Sequence, residues 1–321
     1  MIFFITVLRA LAACIITNSH YTGVYPTDLI ANGGLLGDVI FFAVSGFCLI
    51  NVKERFPKWY LKRLIRIYPA VLIITTIYVI LGFHTIELTP LGIINTFIFP
   101  TNYHFVGSII LLYIPFYFVM KIKKLRSNIP VVALVTLATY VIVYIFFYDK
   151  TYYHIDTVRE PMIRFLFFFS MLLGAYFREN LEKYRNKNSV LSWCLLPVFF
   201  VLYFASKMIF SKVNSTANLQ IINQIVLFAL LVVIFRCFCS LDNKFENMPK
   251  WIKTIINFIS GITLEIYLVQ IGIINKLNFV TFPFNWFIIT GTIILLAFLL
   301  NKISSLIQKP LLKIFFMSNQ L

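Results

Sequence analysis

The sequence predicts an all-α, polytopic integral membrane protein of about ten transmembrane helices, with both termini cytoplasmic. Three observations lead there. Of 321 residues, 60% are hydrophobic and only 12% charged, and the mean hydropathy is +0.88. A soluble domain carries about twice that charged fraction. Apolar runs near the ~20 residues that cross a bilayer recur along the chain. The connections between those runs alternate between basic and base-poor. The excess of 28 Lys and Arg over 12 Asp and Glu does not point to nucleic acid, because bases that fix a membrane topology raise the pI equally.

The runs are 2–19, 35–52, 67–83, 104–120, 129–148, 162–177, 190–207, 219–241, 254–275 and 286–307. In the first, Leu11-Ala12-Ala13-Cys14 looks like a lipoprotein cleavage box. Such signals place their bases ahead of the apolar run, whereas Arg9 abuts the box, so the run is kept as a span. The sixth run is short, and the seventh to tenth are long enough to tilt. Every connection is short, which predicts one transmembrane domain over 1–321 with no fused soluble domain.

Charge sets the direction. The segment 53–66 holds six bases, and 121–128, 178–189 and 236–253 hold four each. The tail from 302 adds three, making 21 on one side against five on the other: Lys150, Arg159, Lys207, Lys212 and Lys276. The positive-inside rule puts the 21 in the cytoplasm. The abundance of Phe, Ile, Lys and Asn suggests an AT-rich bacterial genome, hence a bacterial cytoplasmic membrane.

Each polar residue then acquires a depth. Arg9 lies near the middle of the first span and His20 at its outer end. Eleven residues turn a helix through about 1100°, so the two share one face, separated by about 16 Å. Asp38, four residues into the second span, lies near the depth of His20. Ser45 lies on the same face, about 10 Å deeper. Glu265 is halfway along the ninth span, near the depth of Arg9. Two pairings follow as expectations. Asp38 accepts the Nδ1 proton of His20 and leaves Nε2 as a base. Arg9 pairs with Glu265, since an isolated charge at that depth is costly. A buried ion pair that only fixes packing, and a histidine that only meets interfacial water, are the plainer readings.

The stretch "NVKERFPKWYLKRLIRIYP", 51–69, is the most basic. It reads either as an anionic-lipid anchor with interfacial aromatics or as a cytoplasmic phosphate site. Arg63 and Arg66, three apart beside Lys62, project from one helix face and can grip one phosphate. At the outer side, His84 reads as interfacial and His104 as a candidate for the acceptor site. His154 lies in an outer loop whose aromatic and acidic residues offer a sugar contact, with interfacial anchoring by Tyr152 and Tyr153 the plainer reading. The five cysteines, Cys14, Cys48, Cys194, Cys237 and Cys239, sit in or beside apolar runs without metal-ligand spacing, so no metal and no disulfide is expected.

Four stretches together resemble the membrane-bound acyltransferase-3 family. They are "LRALAACIITNSH" with Arg9 and His20, "GLLGDVIFFAVSGFCLI" over 34–50, Arg63-Leu64-Ile65-Arg66 followed by Ile67-Tyr68-Pro69, and "ISGITLEIYLVQ" over 259–270. The resemblance implies transfer of an acyl group, most often acetyl, from cytoplasmic acyl-CoA to a hydroxyl of a surface or lipid-linked glycan. It implies that His20 is catalytic, that Arg9 is essential beside it, and that Arg63 and Arg66 hold the CoA phosphates. His20 serves as general base or as the acyl-accepting residue. Ser45 and backbone N–H groups are candidate oxyanion donors.

Two departures stand out. The fourth span reads "NYHFVGSIILLYIPFY" where the family often carries a Trp–aromatic pair, and the family's late Tyr-Leu-x-His is Tyr267-Leu268-Val269-Gln270 here. Without the extracytoplasmic esterase-like domain of some relatives, the chain either acylates its acceptor directly or passes the group to a separate extracytoplasmic partner. The rival reading is a transporter or flippase of a glycolipid or glycan precursor, which also needs many spans and mid-depth charges.

Overall fold

The computed structural model describes residues 2–100, 102–157, 161–274, 276–277 and 279–316. Among them there is no β-strand, as expected where long apolar runs must satisfy their backbone groups internally. In chain order the helices are α1 (Phe3–Ser19), α2 (Gly34–Leu49), α3 (Phe56–Ile80), α4 (Pro90–Ile93), α5 (His104–Lys121), α6 (Lys123–Arg126), α7 (Ile129–Phe147) and α8 (Ile163–Glu179). There follow α9 (Leu181–Tyr184), α10 (Val190–Lys212), α11 (Ile221–Ser240), α12 (Asp242–Glu246), α13 (Lys250–Gly261), α14 (Thr263–Ile273) and α15 (Phe284–Phe316).

Six of these, α3, α5, α7, α10, α11 and α15, are long and apolar enough to cross a membrane, and α13 with α14 makes a seventh if that bent pair is one span. The apolar helices α1 and α2 have 17 and 16 residues. At about 1.5 Å per residue each is near 25 Å, shorter than a ~30 Å hydrocarbon layer. Each of the predicted runs coincides with a helix or with the bent pair.

Two boundaries differ from the sequence expectation. The third helix begins at Phe56 rather than 67, so Lys58, Lys62, Arg63 and Arg66 ride on its first turns instead of on a connection. Pro57 falls in the first turn, where its fixed φ suits a helix start and its missing N–H costs nothing. The ninth run is not continuous: α13 and α14 meet at a bend of 67°. Glu265 therefore stands in the first turn of α14, just past the bend. A carboxylate there faces the positive end of the helix dipole.

The chain forms two compact units. The first comprises Met1–Ala12, Leu35–Lys53 and Ile114–Asn257. In it α10 packs on α11, and α8 packs on α7 and α11. Its aromatic core includes Phe42 stacked on Phe167 at 4.2 Å and Phe4 edge-on to Phe47 at 5.6 Å. In the connection at 149–157 Tyr152 is exposed, while His154 and Ile155 turn inward. His154 is buried and stacks between Tyr148 and Tyr152, at 4.6 and 4.2 Å. Its non-helical backbone is satisfied by α11 and the residue before it. Gln220 Oε1 accepts the N–H groups of His154 and Ile155, both at 2.9 Å, and its Nε2 donates to the Tyr152 carbonyl at 2.9 Å. Gln224 donates to the Ile155 carbonyl and accepts from the Tyr140 hydroxyl at 2.6 Å. Buried peptide groups left without such partners would each cost about 1–3 kcal/mol.

The second unit comprises Ala13–Gly34, Glu54–Tyr113 and Phe258–Leu321. Here α15 packs along α3 and α14, and α14 also touches α3. Ala13, Tyr21, Ile266, Ile289 and Ile293 belong to its core.

Candidate functional site

The residue that the sequence marks most strongly, His20, follows the last turn of α1. Ser19 Oγ donates to the Ile16 carbonyl at 2.7 Å and the His20 N–H to the Thr17 carbonyl at 3.1 Å, closing the helix. The chain then loops back through Gly23 and Gly33, whose φ angles of 77° and 94° favour glycine. Asn18 organises this loop. Its Nδ2 donates to the carbonyls of Ile30 and Asn32, at 2.8 and 3.2 Å, and its Oδ1 accepts from the Tyr25 hydroxyl at 2.8 Å. From α15, Trp286 Nε1 donates to the Tyr25 hydroxyl at 3.1 Å, and Asn285 Nδ2 to the Val24 carbonyl at 2.9 Å. Gly34, at the start of α2, lies so near Ser19 that a Cβ there would be 2.5 Å from its Oγ. His20 is thus presented from a braced turn. Its side chain is accessible to solvent, yet protein crowds it enough that desolvation lowers its pKa below the ordinary histidine value. Loss of hydration disfavours the cation and leaves the neutral ring, the form a base needs.

A second polar group of this unit joins α3, α5 and α14. The Tyr267 hydroxyl accepts the Phe105 N–H at 3.3 Å, capping the start of α5 next to His104. Two residues that the sequence proposed separately, His104 and Tyr267, thereby sit at one helix end. His84, expected as a plain interfacial residue, is half-buried edge-on to Tyr78 and Tyr103, at 5.3 and 5.8 Å, and its Nε2 is 3.4 Å from the Tyr103 hydroxyl. Its pKa too is lowered by burial. Tyr78 donates to the Val269 carbonyl at 2.6 Å and accepts the Gly272 N–H at 3.2 Å, fixing α14 against α3. Gln270 is fully buried, and neither its amide oxygen nor its nitrogen has a partner among the described residues.

Glu265 is buried and accepts from Asn301 Nδ2 at 2.9 Å, a neutral partner from α15. Near the other end of α3, Arg63 lies over the Trp59 ring at 4.1 Å and donates to the Trp59 carbonyl at 3.2 Å. Trp59 is itself held edge-on to Tyr113 at 5.8 Å. Arg66 is exposed, one turn along the same helix. Lys62 is turned to Glu54 at 3.4 Å, which reduces its claim on a ligand phosphate.

The first unit holds Arg9, Asp38 and Ser45. Arg9 Nη2 donates to Cys48 Sγ at 3.5 Å, so α1 and α2 meet at this depth. Asp38 is buried in the first turns of α2. Ser45 is half-buried and precedes Gly46, where a Cβ would lie 2.0 Å from the Met171 carbonyl oxygen. Gly174 of α8 answers it: a Cβ there would lie 1.8 Å from the Ala43 carbonyl oxygen. The two glycines let α2 and α8 touch backbone to backbone, setting the helix that carries Asp38 and Ser45. Asn18, Tyr25, Trp286, Gly174 and the paired glutamines carry no mark in the sequence. Only Gly46, inside the Ser-Gly-Phe motif, carries a signal. His20 and Asp38 belong to different units, as do Arg9 and Glu265, and both pairings stand as proposals.

A family model described as an acyltransferase domain matches residues 2–302. No curated protein and no solved structure matches the chain.

Proposed function

The chain belongs to membrane-bound acyltransferase family 3, and on that premise we propose that it is an O-acyltransferase that carries an acyl group, most often acetyl, from cytoplasmic acyl-CoA to a hydroxyl of an extracytoplasmic glycan. The observation that carries this reading is the setting of His20: an accessible imidazole on a braced turn, its pKa lowered by desolvation. Nε2 of His20 takes the proton of the acceptor hydroxyl as its oxygen attacks the thioester carbonyl, and returns it to the departing thiolate. An alternative order has the imidazole accept the acyl group first. Asp38 orients the ring, and Ser45 with nearby N–H groups is the candidate for the developing oxyanion.

Support for the donor comes from α3. Arg66 is exposed beside an Arg63 held rigid by Trp59, a charged pair at one helix face suited to a phosphate. Arg9 lines the path of the donor or pairs with Glu265. His104 and Tyr267 are assigned to the acceptor side. The reading takes the helices as ten spans with both termini cytoplasmic, in a bacterial cytoplasmic membrane. It leaves open whether a separate extracytoplasmic partner receives the acyl group.

The test uses membranes containing the protein, radiolabelled acetyl-CoA and a surface-glycan acceptor. Label transfer that disappears in His20→Ala is expected. Movement of unmodified glycan across the membrane without label transfer would overturn the enzyme in favour of a transporter.

A further inference from the structure

In the first unit a cavity of about 740 Å³ opens where α5 ends, α6 turns and α7 begins. Its walls have two characters. Lys121, Lys123 and Arg126 line one part, while Met120, Ile129 and Pro130 line another. The single lining carboxylate, Glu179, pairs with Arg126. Lys121 reaches only a backbone oxygen, that of Lys53, at 3.2 Å. The Lys123 ammonium has no partner among the described residues. The concavity therefore gathers more cations than it neutralises, and like charges so placed repel unless an anion joins them.

The cavity also has an apolar flank. Helix α7 leaves it at Ile129 and is long and apolar enough to cross a membrane. Pro130 lines the cavity, and Leu134 and Leu137, four and seven residues on, continue its helix face and are 65% and 39% exposed. A soluble phosphate would use the bases and leave this flank bare. A molecule with an anionic head and hydrocarbon chains uses both. Arg63 and Arg66 contribute nothing to the lining.

We propose that this cavity binds the headgroup of an anionic phospholipid, its phosphate among Lys121, Lys123 and Arg126 and its chains against Leu134 and Leu137. The site is independent of the acyl-transfer reading. Basic recesses beside a lipid-facing helix at the basic side of a membrane protein recognise lipids in this way.

Native mass spectrometry of the full-length protein in detergent tests it, with phosphatidylglycerol and phosphatidylcholine of identical chains as probes. Phosphatidylglycerol should be retained preferentially, and the preference should fall about fivefold for each lysine removed in Lys121→Gln with Lys123→Gln. Lys150→Gln, a surface lysine beyond the opposite end of α7, should retain the parent's preference. If the double variant does not fold, Lys123→Gln alone carries the comparison, since its ammonium has no protein partner to lose. Equal retention of the two lipids, or an unaltered preference in the lysine variants, would overturn the proposal. Displacement of phosphatidylglycerol by equimolar coenzyme A or inorganic phosphate would overturn it too, by assigning the cavity to a soluble anion.

Discussion

The hydroxyl of Tyr25 donates to Oδ1 of Asn18 at 2.8 Å, while the amide of the same asparagine reaches the carbonyls of Ile30 and Asn32. One side chain, two residues before His20, ties both limbs of the loop that follows α1. A histidine on a free helix end would sample many orientations. Here the turn that carries it is braced at its base.

Replacing Asn18 by Ala removes three hydrogen bonds at once. We expect a stability loss of about 1–3 kcal/mol, read as a lower melting temperature, because the Ile30 and Asn32 carbonyls lose their donor. Acyl transfer should fall about tenfold at temperatures where the variant remains folded, through a misplaced imidazole. Tyr25→Phe removes one bond and should show a smaller loss of both. Full activity in Asn18→Ala would detach the loop from catalysis.

The pH profile follows from the sign of the His20 shift. Burial lowers its pKa from 6.5, so the neutral, base-competent ring persists to lower pH than for a free histidine. Activity should stay flat through neutrality and fall only on the acid side, as protonation removes the base. The midpoint of that acid limb should lie below 6.5. His20→Ala should lower turnover by about a hundredfold or more and abolish the limb. An acid limb that survives in His20→Ala would assign it to another group.

Gly46 and Gly174 should not tolerate a methyl group. The Cβ positions lie 2.0 and 1.8 Å from carbonyl oxygens of the facing helix, and backbone cannot swing aside as a flexible side chain can. Either substitution to Ala should cost about 3 kcal/mol or more through overpacking. Gly291 provides the internal control. It lies within α15, and a Cβ added there would meet nothing within 4 Å. Gly291→Ala should therefore be neutral or stabilise by about 1 kcal/mol through helix propensity. Thermal unfolding of the purified variants distinguishes the two classes.

How much of this is legible in the sequence depends on the kind of signal. Hydropathy locates every long helix, because burial in lipid or core demands apolar residues whatever the packing. His20 and Arg9 are legible because a polar side chain in an apolar run is costly enough to need a reason. The break between α13 and α14 is hidden, since both sides are apolar. Its only marks are Ser260-Gly261 before the turn and Thr263 with Glu265 after it, the acid taking the third position of the new helix. The early start of α3 is signalled by Pro57, but the density of Lys and Arg gives that stretch the look of a connection. Gln220 and Gln224 leave no local trace, because the loop backbone they hold is more than 60 residues away and Gln224's other partner, the Tyr140 hydroxyl, lies on another helix. The close contact of Gly174 with Ala43 is likewise invisible, as no local pattern says which helix a glycine faces.

The bases of α3 are not equivalent. Arg66 is exposed and Arg63 is fixed against Trp59, whereas Lys62 already faces Glu54. If the pair holds the donor phosphates, Arg66→Ala should raise the donor KM about tenfold with kcat little changed, the signature of lost ground-state binding. Trp59→Leu should raise it as well, without removing any charge, because Arg63 loses the ring and the geometry that orient it. Lys62→Ala should have little effect, since a half-exposed pair such as Lys62–Glu54 contributes only about 0–1 kcal/mol and commits the ammonium elsewhere. Steady-state kinetics over a range of acyl-CoA concentrations separates these three outcomes. An unchanged KM in Arg66→Ala together with Trp59→Leu would leave this helix end as an anchor in the membrane interface and move the donor site away from it.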